Sequence, residues 1–192
     1  MSEPESRSLP PSASAVVIGG GIVGSSLAGW LARLGWRDVL LLDKGPFPNP
    51  GGSTGHASNF IYPVDHSKEM TQLTLESMRQ YRETGTLLEC GGLEVARTEA
   101  RLEELRRRMA SATSWGVDGC RLVTPAEIKE LVPYVDESIL LGGFYTPSVA
   151  VVDSLRFGTI MREQGQASGA LQVFANTEVL GLDVEPQHLG VR

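Results

Sequence analysis

Hydrophobic positions near the start of the chain predict a strand, a helix and a second strand in direct succession. The apolar run at 15–18 (AVVI) leads into a glycine-rich turn, and small and apolar residues then recur at helical spacing over 25–34. Gly35 is a natural residue at a helix C-terminus, and the segment 38–42 (DVLLL) after it is typical of a buried strand. We therefore expect a complete strand–helix–strand unit that closes at Asp43.

Amphipathic patterns further along the chain predict a mixture of helices and short strands. Prolines at positions 46, 48 and 50 interrupt regular structure, and helical spacing of apolar residues resumes afterwards. The longest predicted helix runs from Ser67 to about Glu89 and ends before the glycine pair 91–92. A capping box at Thr124 starts a short helix that ends before Pro133. The other expected helices are 98–115 and 153–164, and the expected strands are 93–96, 142–145, 171–174 and 178–184.

Composition narrows the possible classes of protein. The chain has 192 residues, of which 41% are hydrophobic, and it carries a formal net charge of −6 with a sequence pI of about 5.1. This length and hydrophobic content allow a globular core. The acidic balance gives no polybasic footprint, so we expect no nucleic-acid partner. No apolar run approaches the roughly 20 residues of a membrane span, so we expect no membrane partner.

The two cysteines and the N-terminal residues bear on the compartment. Cys90 and Cys120 are thirty positions apart and lack the spacing of zinc ligands or of a disulfide framework, so we expect no metal site and a reducing cytoplasm. Residues 1–14 are polar, carry two glutamates and contain no apolar core, which is unlike a secretory signal. We predict that they form a disordered leader.

The glycine-rich turn has the spacing of a dinucleotide-binding fingerprint. Gly19, Gly21 and Gly24 stand where a strand must turn sharply, where backbone must approach a pyrophosphate and where the helix must pack closely on the sheet. The N–H groups at the start of the helix favour the anion. Asp43, nineteen residues after Gly24, ends the second strand, where its carboxylate is able to accept hydrogen bonds from ribose hydroxyls. This acidic residue favours FAD or NAD over NADP.

A second motif, the loop 51–58 (GGSTGHAS), favours FAD over NAD. An ordinary NAD-binding fold continues with alternating strands and helices, whereas here a proline- and glycine-rich stretch, this loop and a long predicted helix follow the second strand. Ser53 and Thr54 are short hydrogen-bonding residues in a loop that glycine makes close-fitting. The neutral imidazole of His56 is a candidate nucleophile towards the 8α carbon of a flavin, a reaction that gives a histidyl-flavin bond.

Four segments together carry a resemblance to a known family. They are 17–24 (VIGGGIVG), 42–46 (LDKGP), 51–57 (GGSTGHA) and 90–96 (CGGLEVA), of which the last two are distinctive. From Ala15 to about Glu185 the chain resembles the N-terminal FAD portion of the D-amino-acid-oxidase-like superfamily, and within it dimethylglycine oxidase and the dimethylglycine and sarcosine dehydrogenases. In that family the histidine of the GGSTxHA loop is the covalent FAD anchor, which implies this role for His56.

The resemblance implies further contacts with the cofactor. The segment around Val179 matches a family strand, while the histidine and tyrosine residues that contact substrate in the family fall beyond this chain, so no catalytic residue is expected here. The implied contacts are Ile22 and Val23 at the diphosphate, Asp43 and Lys44 at the ribose, Ser53, Thr54 and Gly55 along the cofactor, Phe60 beyond the anchor, and the backbone of Val179 at the adenine end.

The implied fold is α/β, with a Rossmann-like FAD-binding βαβ domain of the glutathione-reductase/D-amino-acid-oxidase type and part of an inserted α+β substrate domain. We expect residues 15–66 to form the FAD-binding Rossmann-like segment, 67–150 to be a helical and strand segment with part of the substrate domain, and 151–192 to return to the FAD domain. Family members continue with the rest of the substrate domain, a second glycine-rich flavin segment and a folate-binding region. The chain is therefore expected to be a truncated, N-terminal fragment.

The activity implied by the resemblance is oxidation of N-methylated glycines of the dimethylglycine or sarcosine type by hydride transfer to a histidine-linked flavin. Oxygen or an electron-transfer flavoprotein would reoxidise the flavin, and tetrahydrofolate in the C-terminal region would capture the one-carbon unit. Two alternatives stay open. One is a D-amino-acid-oxidase-like deaminase with noncovalent FAD, and the other is an inactive dinucleotide-binding fragment or subunit that needs a partner chain.

Overall fold

The computed structural model describes residues 8–185 and 188–192, which form two compact units. One unit comprises the described residues up to Ala57 together with Ser154–Arg192. The other comprises Ser58–Asp153. The chain thus leaves the first unit after Ala57 and returns to it at Ser154, and the architecture is mixed α/β, as the sequence predicts.

A parallel three-stranded sheet forms the centre of the first unit. Its strands lie in the order β1–β2–β9, with Ile18 opposite Leu42 and Leu42 opposite Phe174 in the register. Helix α1 connects β1 to β2, and helix α5 leads into β9, so the predicted strand–helix–strand unit is confirmed. The elements are β1 (Ala15–Ile18), α1 (Ile22–Arg33), β2 (Val39–Leu42), α5 (Ser154–Ala167) and β9 (Leu171–Phe174).

Both faces of this sheet are buried, which explains why β2 is apolar at every position. One face of the sheet packs against Ala28 of α1. The buried residues on this face are Val17, Val39, Leu41 and Leu171. The opposite face is lined by Leu40, Leu42 and Phe174.

Helices α1 and α5 pack closely at a glycine. A Cβ added to Gly29 of α1 would lie 2.8 Å from Cε of Met161 and 3.0 Å from its carbonyl oxygen, so a side chain at this position would force the helices apart. This contact holds α5 against α1 and fixes which residues of α5 approach the glycine-rich turn.

The strand predicted at 178–184 is wrong over most of its length. After β9 the chain is irregular until β10 (Leu182–Glu185), which pairs antiparallel with β11 (His188–Val191) as a separate hairpin. Val179 therefore does not lie in a strand. Its side chain packs against the sheet face of Leu40, Leu42 and Phe174. An apolar residue that packs on the core from an irregular segment gives the same sequence pattern as a buried strand residue.

Two antiparallel three-stranded sheets and three helices form the second unit. The sheet orders are β3–β8–β4 and β5–β7–β6. A core of Val64, Ala96, Leu105, Ala112 and Phe144 lies between the second sheet and α3. The elements are β3 (Phe60–Ile61), α2 (Lys68–Glu83), β4 (Leu87–Glu89), β5 (Gly92–Ala96), α3 (Glu99–Ser114), β6 (Arg121–Val123), α4 (Pro125–Leu131), β7 (Gly142–Thr146) and β8 (Ala150–Val152).

Helix α2 ends six residues before the position predicted for it. Gly85 adopts a left-handed φ of 67°, which stops the helix just after Glu83. Leu87–Glu89 then forms β4 and pairs with β8. The prediction of a single helix up to Glu89 is wrong because Gly85, inside the amphipathic pattern, terminates the helix.

The predicted helix starts in this unit are confirmed by their caps. The side chains of Ser67 and Thr98 accept hydrogen bonds from the backbone N–H groups at the third helical positions of α2 and α3. At α4 the reciprocal capping box of Thr124 and Glu127 is present, with Pro125 at the first helical position. Within the described ranges, every helix is too short or too polar to cross a lipid bilayer.

Candidate cofactor site

The turn between β1 and α1 is built around two glycines that no other residue could replace. Gly19 has a φ of 99°, in the left-handed region, and its N–H donates to the carbonyl oxygen of Leu42 at 2.8 Å. A Cβ added to Gly24 would lie 1.8 Å from the carbonyl oxygen of Gly19 and 3.3 Å from Cγ1 of Val17. The first helical turn is therefore able to sit directly over the end of β1.

The other two glycines of the turn, Gly20 and Gly21, lie against side chains from later in the chain. A Cβ on Gly20 would lie 2.3 Å from Cε1 of Phe47, and a Cβ on Gly21 would lie 2.9 Å from Oγ1 of Thr54. Gly21 is the N-cap of α1 and has no side chain to cap it. The cap comes instead from Thr54, whose Oγ1 accepts a hydrogen bond from the N–H of Ile22 at 2.9 Å.

The next two N–H groups of α1 remain open to an anion. The first hydrogen bond within the helix runs from the N–H of Ser25 to the carbonyl oxygen of Gly21 at 2.9 Å. In the described part of the chain no acceptor meets the N–H of Val23 or Gly24. The side chain of Val23 is 78% exposed. Two free donors at the positive end of a helix dipole form the arrangement that binds a diphosphate.

Asp43 stands at the carboxyl end of β2, as the fingerprint requires. Its Oδ2 accepts a hydrogen bond from the N–H of Gly20 at 2.6 Å, and its Oδ1 accepts one from the N–H of Gly45 at 2.7 Å. A carboxylate offers about four acceptor positions, so both oxygens keep capacity for ribose hydroxyls. Lys44, next in sequence, is exposed.

His56 ends a single turn of 3-10 helix, Ser53–Gly55. Its backbone N–H donates to the carbonyl oxygen of Ser53 at 3.1 Å, and its side chain is exposed. Asn49 frames the loop, because its Oδ1 accepts from the N–H of Gly51 and a Cβ on Gly55 would lie 2.3 Å from that same oxygen. The imidazole is thus presented to solvent from a turn of defined backbone.

The structure brings most of the predicted site residues together in the first unit. Gly19, Gly21, Ile22, Val23, Gly24, Asp43 and Thr54 surround the start of α1, and Ser53, Gly55 and His56 share the turn tied to it through Thr54. Two of the predicted residues lie away from the start of α1. Phe60 belongs to β3 in the second unit, is 45% exposed and meets the ring of Tyr62 edge-on at 5.1 Å. Val179 packs on the sheet face lined by Leu40, Leu42 and Phe174.

Sequence reasoning missed an arginine beneath the glycine-rich turn. Arg162 is only 6% exposed, and its Nη1 donates to Oγ of Ser25 at 2.8 Å. Its guanidinium carbon lies 4.3 Å from the centroid of the Phe47 ring, a cation–π contact. The signal in the sequence was an arginine on the apolar face of α5, where its buried neighbours are Ser154, Phe157, Gly158, Met161 and Gly165.

Burial of Arg162 lowers the pKa of its guanidinium, and the negative charges of Glu163 and Asp43 oppose that shift. No carboxylate within the described ranges lies close enough to form an ion pair with it. The charge is therefore held by hydrogen bonds and by an aromatic ring. The described residues contain no group of three His, Cys, Asp or Glu side chains placed to hold a metal ion.

The residues around the start of α1 fit an adenine dinucleotide. The turn has no side chain at the positions nearest the helix N-terminus, two N–H donors lack acceptors, and a carboxylate ends the neighbouring strand. These are the groups that a Rossmann-type site offers to a diphosphate and a ribose.

Comparison with known proteins agrees with this geometry. The sequence model of the family described as "DAO: FAD dependent oxidoreductase" matches residues 14–192. Over 93% of its length the chain is 30% identical to the mitochondrial pyruvate dehydrogenase phosphatase regulatory subunit of Mus musculus, and over 97% it is 32% identical to the mitochondrial sarcosine dehydrogenase of Homo sapiens. The mitochondrial dimethylglycine dehydrogenase of Mus musculus is 30% identical over 87% of the chain.

The chain spans about a fifth of these relatives, with coverage of 21%, 21% and 20% of their lengths. Among solved structures, the L-proline dehydrogenase from P. horikoshii is similar with a TM-score of 0.85 and 26% identity. That alignment covers 95% of this chain and 49% of the other. The glycine-rich turn, the site around α1 and the family match over residues 14–192 lead to one assignment: the chain belongs to the DAO family of FAD-dependent oxidoreductases.

Proposed function

We propose that this chain is the FAD-binding part of an oxidoreductase that oxidises N-methylated glycines of the dimethylglycine or sarcosine type, with the flavin linked covalently to His56. One observation carries the proposal. His56 is exposed at the end of a turn whose Thr54 caps α1, the helix with free N–H donors for a diphosphate. The similarity to sarcosine and dimethylglycine dehydrogenases supports the choice of substrate class.

The residues of this chain bind the cofactor and orient it. The N–H groups of Val23 and Gly24 receive the diphosphate, and the carboxylate of Asp43 receives the ribose hydroxyls. FAD, when bound, would supply a hydride acceptor for the carbon next to an amine nitrogen. The imidazole of His56 would hold the flavin through a bond to its 8α carbon. That bond replaces an N–H bond of the imidazole and a C–H bond of the 8α methyl group, and the two hydrogens, which leave the flavin reduced, would pass to the oxygen or electron-transfer flavoprotein that reoxidises it.

The exposure of His56 favours this role over a purely structural one. A histidine that served only to close the turn would need just its backbone, since the N–H of His56 already makes the turn's hydrogen bond to Ser53. Within residues 8–185 and 188–192 no hydrogen bond engages its imidazole, which leaves the ring available for a bond to the flavin. Its attachment to a turn that is hydrogen-bonded to the diphosphate-binding helix would set its distance along an extended dinucleotide.

Substrate binding and reoxidation belong to the whole protein. We propose an N-methylated amine as substrate, oxygen or an electron-transfer flavoprotein as acceptor, and tetrahydrofolate as the carrier of the released one-carbon unit. We assign none of these steps to residues of this chain, and we propose that the chain does not turn over amines without the rest of the protein or a partner chain.

Turnover by the full-length protein tests the substrate class. Dimethylglycine and sarcosine should each reduce the enzyme-bound flavin under anaerobic conditions, with loss of its visible absorbance, whereas a D-amino acid such as D-alanine should not. Bleaching by D-alanine alone would contradict the proposal and favour a D-amino-acid-oxidase-like deaminase.

A second candidate function is regulatory. The similarity to a phosphatase regulatory subunit, at 30% identity over 93% of the chain, favours a role in which the dinucleotide-binding unit serves assembly and not catalysis. Under this alternative the protein would bind FAD without being reduced by any of the amines above. A stable complex with a partner protein, retained when FAD is present, would then be expected.

The two cysteines bear on the cellular compartment of the protein. Cys90 and Cys120 are free thiols, which agrees with a reducing environment. We keep a reducing cytoplasm as the proposed location, although the relatives named above are mitochondrial.

A further inference from the structure

The guanidinium of Arg162 lies under the glycine-rich turn with a defined set of partners. Nη1 donates to Oγ of Ser25 at 2.8 Å, and Nη2 donates to Oγ1 of Thr159 at 2.9 Å. The guanidinium carbon lies over the ring of Phe47, 4.3 Å from its centroid. All of these residues belong to the same unit, and the side chain is almost completely buried.

Two sets of contacts connect this guanidinium to one residue of the turn, Gly20. Along the first, Oγ of Ser25 donates its own proton to the carbonyl oxygen of Gly20 at 2.9 Å while it accepts from Arg162. Along the second, the ring of Phe47 occupies the space beside Gly20, where an added Cβ would approach to 2.3 Å. Arg162 therefore supports Gly20 through a hydrogen-bonded relay and through an aromatic ring.

The backbone of Gly20 is held at its other polar group as well. Its N–H donates to Oδ2 of Asp43 at 2.6 Å. With both its N–H and its carbonyl oxygen engaged, Gly20 has a fixed orientation between Gly19 and Gly21. The direction of this segment sets where the N–H groups of Val23 and Gly24 point.

The charge of Arg162 is costly to bury unless something offsets it. A buried cation without an ion-pair partner loses hydration that hydrogen bonds to two hydroxyl groups replace only in part. An aliphatic side chain would fill the same space on the apolar face of α5 without that cost. A diphosphate at the start of α1 would supply negative charge on the other side of the turn, where the low local dielectric strengthens attraction to the guanidinium.

We propose that Arg162 is a positioning residue for the dinucleotide, which orients the Gly20 peptide through Ser25 and Phe47 and places a positive charge behind the diphosphate. This role rests on FAD binding, and it is independent of which amine the whole protein oxidises. It differs from a role in packing α5 against α1, which the contact between Gly29 and Met161 already provides.

Reversible binding of FAD by the full-length protein tests the proposal. All variants carry His56→Ala, so that no covalent bond interferes, and the dissociation constant is measured by quenching of flavin fluorescence with no amine present. Arg162→Met should weaken binding about tenfold or more, the size expected for loss of a charge-assisted hydrogen bond in the protein interior. Arg162→Lys keeps the charge but loses the fork and should weaken binding less, by roughly threefold.

Two further variants separate the relay from simple packing. Ser25→Ala removes the hydroxyl between Arg162 and Gly20 and should weaken FAD binding by roughly threefold to fivefold, and the double variant with Arg162→Met should be no weaker than Arg162→Met alone. Thr159→Val removes the other hydroxyl partner of the guanidinium, which is not part of the relay to Gly20, and should weaken FAD binding less than Ser25→Ala does.

The outcomes are distinct. An Arg162→Met protein that melts cooperatively and binds FAD within twofold of its parent would overturn the proposal, as would an Arg162→Lys variant as weak as Arg162→Met. If Arg162→Met does not fold, Ser25→Ala and Arg162→Lys decide: unchanged binding in Ser25→Ala overturns the relay. Because no amine is used, a failure to oxidise dimethylglycine or sarcosine leaves this result intact.

Discussion

Oγ1 of Thr54 accepts a hydrogen bond from the backbone N–H of Ile22 at 2.9 Å, across a sequence separation of 32 residues. The bond satisfies a donor at the start of α1 that Gly21, as the N-cap, cannot satisfy. It also fixes the turn that carries His56 to the helix that faces the diphosphate. A helix cap supplied by another loop thus couples the two motifs that distinguish this sequence.

Removal of this cap should weaken the first unit. Thr54→Val keeps the shape of the side chain but leaves the N–H of Ile22 without an acceptor, so we expect the free energy of unfolding to fall by about 1 kcal/mol. Chemical denaturation followed by circular dichroism measures the change. Ser53→Ala, in the same turn and with an exposed side chain, is the matched control and should stay within about 0.5 kcal/mol of the parent. Equal losses in both variants would contradict the capping role.

The close approach at Gly24 predicts a severe effect of a single methyl group. In Gly24→Ala the Cβ would lie 1.8 Å from the carbonyl oxygen of Gly19, so the helix must shift away from β1. We expect a loss of about 3 kcal/mol in stability and no measurable binding of FAD. Gly52→Ala is the control, because nothing lies within 4 Å of a Cβ there. Normal flavin binding by Gly24→Ala would show that the turn tolerates displacement.

Asp43 is expected to contribute through its charge as well as its shape. Asp43→Asn keeps one acceptor oxygen but turns an amide group towards the N–H of either Gly20 or Gly45. We expect the dissociation constant for FAD to rise about tenfold, measured in the His56→Ala background. Asp38→Asn, at an exposed position in the same unit, should change nothing. An unaltered affinity in Asp43→Asn would remove the carboxylate from the binding site.

The capping box of α4 predicts a dependence of stability on pH. Hydrogen bonds to the backbone N–H and hydroxyl of Thr124, with Arg121 nearby, lower the pKa of Glu127 from 4.5. A carboxyl group whose pKa is lowered on folding contributes stability above its unfolded pKa, and that contribution is lost as the pH falls from about 4.5 through the folded pKa. Glu127→Gln should therefore flatten the decline in melting temperature below pH 5.

A neighbouring glutamate provides the control for this pH dependence. Glu130→Gln, exposed on the same helix, should leave the decline below pH 5 unchanged. A decline that is the same in Glu127→Gln and in the parent protein would contradict the assignment to the capping box.

Elements with strong local signals were predictable from the sequence. The fully apolar β2, the glycine fingerprint and the capping box at Thr124 each specify a conformation within a few residues. The grouping of the glycine turn and Asp43 also follows from the sequence, because the carboxyl ends of adjacent parallel strands meet at one edge of the sheet. The His56 loop is tied to this group by the hydrogen bond from Ile22 to Thr54, which no local pattern indicates.

Features that depend on partners distant in sequence were not predictable. The end of α2 at Glu83 is fixed by Gly85 and by the pairing of β4 with β8. The amphipathic pattern in the sequence continues beyond Glu83 and does not mark this end. The sequence predicts a strand at Val179, although its apolar side chain packs on the core from an irregular segment. The sequence marks Arg162 only as an arginine on the apolar face of α5, and its partners Ser25 and Phe47 lie more than a hundred positions away.

Acid precipitation of the purified full-length protein, followed by mass analysis of the flavin-containing peptide, tests the covalent link to His56. We expect the yellow colour to stay in the pellet, the peptide containing His56 to carry the mass of the flavin, and His56→Ala to release all flavin to the supernatant. His66→Ala, which alters another exposed histidine, should retain the colour. Complete release of flavin from the unaltered protein, or attachment to a different residue, would show that His56 does not hold the flavin covalently.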